Sequence, residues 1–239
     1  MSRTTELLVL AGGFGTRLRS VVTEVPKPLA PVVGRPFLQY LMESWAEQGV
    51  TRLVFLLHHQ ANLVRGFLEG IKASPVMRAC EIATLTEPIP LGTGGAVAYA
   101  VREFGLSNSF MVANADTWLG AGIQALTDVG APSMAVVYVD NAGRYGSVGI
   151  EQGLVTAFEE KNPQMVSGWI NAGLYHLDAS HFVGWNGQAF SLERELFPEM
   201  VSKRQLSTVA LNCDFIDIGI PDDYFRFCRW VEAGQEGPL

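Results

Sequence analysis

With 239 residues, of which 48% are apolar, the chain can bury a full core, and its length fits one large α/β domain, residues 1–239, better than two. A formal net charge of −7 excludes a surface that attracts nucleic acid or anionic membrane as a whole, so an anionic substrate must be met by a local cluster of cations or metal. No signal peptide and no membrane-spanning run are expected, and Cys80, Cys213 and Cys228 are few, widely spaced and without a metal-type pattern, which suits reduced thiols in the cytoplasm.

The first expected element is a short apolar strand, Glu6 to Ala11, with Gly12, Gly13 and Gly15 at its carboxyl end, the end at which α/β sheets bind ligands. Three glycines in four positions remove Cβ atoms that would keep an anion from the backbone N–H groups, and they permit positive φ. Arg17 and, beyond Glu24 and Pro26, Lys27 add positive charge. A P-loop is excluded because Thr16 and Arg17 follow Gly15, and a dinucleotide fingerprint is excluded because Leu18 stands where it needs glycine. Spacing alone leaves two readings open, an anion cradle or a tight turn with a solvated arginine.

Helices are predicted over Pro36 to Gln48, with Pro36 at the first helical position and Gly49 after the end, and over Gln60 to Leu68. Between and beyond them run short apolar stretches at 52–57, 81–85, 109–113, 133–139 and 169–177, an alternation that predicts a layered sheet with helices on both faces. His58 and His59 close the first of these with no third ligand spaced to help them, so strand-end packing or exposure explains them. In Glu87 to Ala96 (EPIPLGTGGA), two prolines hold an extended loop, Gly92, Gly94 and Gly95 clear space near the backbone, and a helix is predicted from Thr93 through Val101. Taken alone, that glycine cluster reads as a tight turn.

Asn114-Ala115-Asp116 closes the apolar run Phe110 to Ala113, again at a strand's carboxyl end, where a turn aspartate needs no special explanation. Glu160 and Lys161 follow Phe158 as a charged pair of solvated type, and Asn171-Ala172-Gly173 leads into Leu174 and Tyr175. Asp217 is harder to dismiss: it lies inside the apolar strand pattern of FIDIGIP, and a carboxylate there must be paired or bind metal. Asp222 and Asp223 follow Pro221 in the first turn of a helix running to about Ala233, where the helix dipole accounts for them. Trp118, Trp169 and Trp185 leave two readings open, stacking on a base or sugar, or packing in the core or a pocket wall. No linker, low-complexity segment or internal repeat is present, and no hexapeptide repeats follow the last helix.

The run LAGGFGTRLRSVVTEVPKPLAPVVGRPFLQY resembles the N-terminal signature of the sugar-1-phosphate nucleotidyltransferases, and PLGTGGA is most similar to the branch that includes heptose-1-phosphate guanylyltransferases. The resemblance implies a three-layer, Rossmann-like α/β fold with a mixed, mainly parallel central sheet, lacking the C-terminal β-helix that several relatives carry. It implies that Leu10, Ala11, Gly12, Gly13, Gly15 and Thr16 bind the nucleotide, that Arg17 contacts the triphosphate, and that Lys27 contacts phosphate at the reaction centre, Arg17 and Lys27 being the catalytic pair. Glu87, Leu91, Gly92, Thr93 and Asn114 would lie along nucleobase and ribose. Glu160 and Lys161 would read a sugar hydroxyl and the sugar phosphate, and Asn171 and Gly173 the sugar ring, with Tyr145 and Gly146 bordering that pocket. Asp116 and Asp217 would hold Mg²⁺. Two departures stand out: Ala115 replaces the glycine usual in relatives, and Asn162 separates Lys161 from Pro163.

The implied reaction is attack of a sugar-phosphate oxygen on the α-phosphorus of a nucleoside triphosphate with loss of pyrophosphate. The nucleophile is already an anion, so the protein's task is positioning and charge stabilisation rather than general-base catalysis. PLGTGGA and FIDIGIPDDY favour GTP and a manno-heptose 1-phosphate, the product feeding surface polysaccharide synthesis. Mannose 1-phosphate with GTP, and hexose 1-phosphates with UTP, dTTP or CTP, stay open, as does oligomeric state, a homo-oligomer included. Three competing classes are weaker. A metal-dependent glycosyltransferase would show Asp-x-Asp, where this chain has Asn114 and Asp116; a cytidylyltransferase would share the glycine loop without the match through KPLAPVVGRPF; and a silent ligand-binding regulator would be expected to have lost Arg17, Lys27 or an aspartate.

Overall fold

The computed structural model describes residues 5–159, 164 and 166–235. In chain order the elements are β1 (Glu6–Leu10), β2 (Pro31–Val32), β3 (Arg35–Pro36), α1 (Phe37–Glu47), β4 (Arg52–Leu57), α2 (Ala61–Ile71), β5 (Glu81–Thr86), α3 (Gly92–Phe104), β6 (Ser109–Asn114) and β7 (Thr117–Leu119). There follow α4 (Ile123–Val129), β8 (Ser133–Val139), β9 (Ser147–Glu151), β10 (Leu154–Glu159), β11 (Gly168–Asp178), α5 (Phe197–Ser202), β12 (Ser207–Leu211), β13 (Phe215–Asp217) and α6 (Pro221–Glu232). They group into two compact units built from interleaved segments. The first takes the chain up to Ile89, Ala113–Gly120 and the chain from Asp214 onward; the second takes Pro90–Val112 and Ala121–Cys213.

In the first unit β1 pairs in parallel with β4, Leu7 opposite Leu53, and β4 pairs in parallel with β5. Leu7, Leu8 and Val9 are fully buried, as the near-continuous apolar run of a covered parallel strand requires. On α2 the buried residues Val64, Leu68 and Ile71 recur at helical spacing, and α1 buries Phe37, Leu38, Leu41, Met42 and Trp45. Pro36 is not the first helical residue, as the sequence suggested: it ends β3 with an extended ψ of 141° and immediately precedes α1. Parallel pairing sets the carboxyl ends of β1 and β4 side by side, so Ala11 N–H donates to Leu56 C=O (3.0 Å) and His59 N–H to Gly12 C=O (3.3 Å). A separate antiparallel ribbon joins β7 to β13 and places Thr117 opposite Asp217.

The second unit mixes directions. Here β8 runs antiparallel to β11 and parallel to β12, while β10 is antiparallel to both β12 and β9. The strands expected at 133–139 and 169–177 are present as β8 and β11. The elements that the sequence did not single out, β9, β10, β12, α4 and α5, are short or half-exposed, so none carries a long apolar period.

Candidate active site

The first unit assembles three charged side chains from three distant parts of the chain. Lys27 enters on a single 3₁₀ turn after Pro26, whose extended conformation (φ −64°, ψ 152°) ends the preceding loop. Asp116 follows β6, where Ala115, 1% exposed, donates its N–H to Leu10 C=O (3.1 Å) and so ties this turn to the end of β1. Asp217 ends β13, and the pairing continues past the ribbon, since Ile218 N–H donates to Asp116 C=O (3.0 Å). The result is a Lys27 ammonium that donates to Asp116 Oδ2 at 2.7 Å and to Asp217 Oδ1 at 2.9 Å. Thr117 Oγ1 donates to Asp116 Oδ1 (3.2 Å), and Gly219 N–H donates to Asp217 Oδ1 (2.7 Å).

One ammonium against two carboxylates leaves a net negative charge. Lys27 is 9% exposed in its side chain, while Asp116 and Asp217 keep 37% and 27%, so the carboxylates retain a face toward solvent. Burial works against the Lys27 charge, but the two carboxylates outweigh it and hold its pKa above the usual lysine value. Burial likewise opposes ionisation of Asp116, yet the ammonium's charge and hydrogen bond prevail and keep that carboxyl below the usual range. Asp217 goes the other way: burial, then repulsion by Asp116, pushes it up despite Lys27. A pair of hard oxygen donors with uncompensated negative charge is what a divalent cation that keeps most of its water would take, so these residues fit Mg²⁺. Among the described residues no group of three or more His, Cys, Asp or Glu is placed to bind a metal.

Beside the triad lies a cavity of about 200 Å³. Of the nucleotide-site residues expected from sequence, Leu10, Ala11, Gly13, Gly15, Thr16 and Arg17 line it, with Lys27 and Asp116. Pro28 and Gly219, which were not singled out, also line it, as does Ala115, noted in the sequence only as a departure from relatives. Its size is below that of a cavity enclosing a whole drug-sized ligand and suits a phosphate chain. The glycines have distinct reasons. Gly15 has φ +59°, and a Cβ there would stand 3.1 Å from Lys27 Cβ, so this turn packs against the lysine stem. At Gly12 a Cβ would come within 3.0 Å of Glu87 Oε1 and 3.2 Å of His58 Cβ. Gly13 alone has nothing within 4 Å and so leaves backbone open to a ligand. Glu87 is buried behind the loop, its N–H bonded to Leu57 C=O (2.8 Å), and Asn114 is the half-buried last residue of β6.

The glycine cluster of the second unit differs from expectation. The space that Gly92, Gly94 and Gly95 clear is filled by the chain's own residues 188–190: a Cβ at Gly94 would meet the Phe190 ring at 2.2 Å, and one at Gly92 would meet Phe190 C=O at 2.5 Å. Phe190 C=O accepts from Gly94 N–H (3.0 Å) and Gly95 N–H (3.2 Å), while Phe190 N–H donates to Leu91 C=O (3.0 Å). Thr93 Oγ1 accepts from Leu192 N–H (2.9 Å) and donates to Glu193 Oε2 (2.6 Å). The start of α3 is therefore capped from within, with the Thr93 hydroxyl bonded to both Leu192 and Glu193.

Of the expected sugar-site residues, Gly146 and Asn171 are brought together, Asn171 N–H donating to Gly146 C=O (3.0 Å). The Asn171 side chain accepts from Gly173 N–H (2.9 Å) and donates to Tyr175 OH (2.8 Å), shaping the bulge that shifts the β11 register, with Gly173 at φ +72°. Tyr145 OH accepts from Arg144. Glu160 and Lys161 lie outside the described residues.

Residues 6–233 fit the sequence pattern of the family described as Nucleotidyl transferase. The chain belongs to that family. It is 32% identical over 229 residues to the D-glycero-alpha-D-manno-heptose 1-phosphate guanylyltransferase of Campylobacter jejuni, covering 93% of this chain and 98% of that one. A probable mannose-1-phosphate guanylyltransferase of Oryza sativa is also 32% identical, but this chain spans only 63% of its length. Among solved structures, HddC from Yersinia pseudotuberculosis superposes with a TM-score of 0.83 at 31% identity, covering 95% of this chain and all of HddC. The same protein has been solved complexed with GMP-PN. The Rossmann-like α/β fold of this nucleotidyltransferase, with its mixed strand directions, agrees with the family expectation, and it is a sugar-1-phosphate nucleotidyltransferase by kinship.

Proposed function

We propose that this nucleotidyltransferase, acting as one domain over residues 1–239, transfers GMP from GTP to a manno-heptose 1-phosphate and releases pyrophosphate, supplying a nucleotide-sugar for surface polysaccharide synthesis in the cytoplasm. The observation that carries the reading is Lys27 held between Asp116 and Asp217 at the wall of the glycine-loop cavity. GTP and heptose are favoured by the Campylobacter relative's name and by the GMP-PN complex of HddC. The mannose guanylyltransferases among the relatives make mannose 1-phosphate the second substrate to test.

In this reading the open backbone at Gly13 and the guanidinium of Arg17 take the triphosphate, while Lys27 neutralises charge at the α-phosphoryl group. Asp116 and Asp217 hold Mg²⁺, which when bound supplies Lewis-acid stabilisation of phosphate charge. Glu87, Leu91 and Gly92 serve the nucleobase through backbone and carboxylate, and Tyr145, Gly146, Asn171, Gly173, Glu160 and Lys161 serve the sugar phosphate.

The test is a matrix of GTP, ATP, UTP, dTTP and CTP against heptose, mannose, glucose and N-acetylhexosamine 1-phosphates, read by pyrophosphate release with and without Mg²⁺. GTP with a manno-configured sugar should dominate, and chelation should stop turnover. Lys27→Ala and Asp217→Asn should each lower kcat by about a hundredfold or more while far-UV circular dichroism stays that of the folded chain. Activity confined to UTP and glucose 1-phosphate would overturn the substrate choice; wild-type rates in either variant would overturn the site.

A further inference from the structure

We propose that His59 is a positioning residue that latches the glycine loop in its substrate-ready shape. The loop needs such a device: Gly13 has no neighbour within 4 Å of where a Cβ would be, Gly15 sits at positive φ, and Phe14 is 52% exposed. His59, fixed at the end of β4 just before α2, touches the loop at its start, middle and exit. Its backbone N–H donates to Gly12 C=O (3.3 Å), and its ring packs against Phe14, centroids 5.1 Å apart. Its Nε2 lies 3.0 Å from Nη2 of Arg19, which belongs to the 3₁₀ turn that follows the loop. A guanidinium only donates, so in this contact Nε2 accepts.

His59 does not line the cavity beside Lys27; with Phe14 and Arg19 it lines a neighbouring hollow of about 240 Å³ whose wall shares Gly15 and Lys27 with that cavity. The contacts of His59 run to the loop and to Arg19, and it acts through them. Ordering the loop before the triphosphate arrives removes part of the entropy that binding would otherwise cost, which appears as lower KM rather than higher kcat.

The inference rests on the glycine loop being the triphosphate cradle, and two readouts separate its failure from failure of that reading. Amide hydrogen exchange across residues 12–17 of the unliganded protein reports the latch whether or not any substrate turns over. In His59→Leu those amides should exchange faster, and KM for GTP should rise roughly threefold to tenfold with kcat within about twofold, the scale of one exposed hydrogen bond with its ring contact. His59→Gln, whose carbonyl also accepts from Arg19, should recover most of the protection and most of the affinity. Arg19→Ala should resemble His59→Leu, and the double variant should be little worse than either. Unchanged exchange and KM in His59→Leu would sink the proposal. So would His59→Gln failing like His59→Leu, or Arg19→Ala raising KM while His59→Leu does not, since Arg19 would then act on the ligand directly. Absence of pyrophosphate release by the unaltered protein with every substrate pair would instead count against the proposed function.

Discussion

A methyl group on Gly219 would stand 2.9 Å from Asp217 Oδ1 and 3.1 Å from Lys27 Nζ, closer than a Cβ sits to such atoms. The backbone there is not in the left-handed region, so the constraint is space beside the ion pair, reinforced by the N–H that Gly219 gives to Asp217. Gly219→Ala should push Asp217 off its position and lower kcat by roughly tenfold to hundredfold, the effect expected of a small displacement at a reacting centre. It should cost no more than about 1–3 kcal/mol of stability, the range for overpacking. Steady-state pyrophosphate release with a thermal melt distinguishes the two, and unaltered kcat would remove Gly219 from the site. Of the three charges, Asp217 stood out in the sequence because it lies inside an apolar strand pattern, while Asp116 and Lys27 were singled out through the family resemblance. Gly219 was not, since Asp217 is held beside it by a lysine 192 positions earlier in the chain, a distance across which no local pattern reaches.

At the scale of elements, the start of α3 shows how a correct local reading can miss a distant packing partner. A helix near Thr93 follows from residue type, and the structure has α3 from Gly92. The purpose of its glycines does not follow, because their partner is Phe190, and the Thr93 partner Glu193 lies 100 residues on. Trp185 secures the same segment, donating Nε1–H to Gln188 C=O (2.7 Å), with Arg102 stacked 5.0 Å from its ring centroid. If the glycines exist to admit this strap, Gly94→Ala should destabilise the protein by about 1–3 kcal/mol through collision with the ring. Adding Phe190→Ala should then cost less than the sum of the single changes, a coupling measurable by chemical denaturation of the four proteins. Strict additivity would show that Phe190 is not what the glycine accommodates. The shortest elements escaped the sequence for a related reason: α5 has six residues and β9 buries only its first two, too little for a period to emerge.

Over the whole molecule, the unit that carries the glycine-loop cavity is made from three stretches of chain that must all arrive before that cavity exists. Phe227 marks where they meet, its ring 4.9 Å from Phe37, 5.6 Å from Trp118 and 5.6 Å from Trp230, one partner from each stretch. Tyr224, one turn earlier on α6, adds a polar tie by donating its hydroxyl to Pro31 C=O, shortly after Lys27. Burial, with Cys228 adding to it, pushes that phenol up to about 12, from an ordinary value near 10. The tie is fully present below pH 10, where folded and unfolded chains both keep the proton. Between about pH 10 and 12 the unfolded chain releases it and the folded chain does not, so stability falls with rising pH and the contribution is lost as the folded group titrates. Tyr224→Phe should therefore melt below the unaltered protein at pH 8 by an amount equivalent to about 1 kcal/mol, one hydrogen bond. The gap between the two melting curves should close as the pH rises above 10. Tyr40, also pushed up by burial, is common to both proteins, so their difference isolates Tyr224. Melting temperatures that stay parallel from pH 8 to 12 would mean that the bond to Pro31 does not link the last helix to the lysine segment in solution.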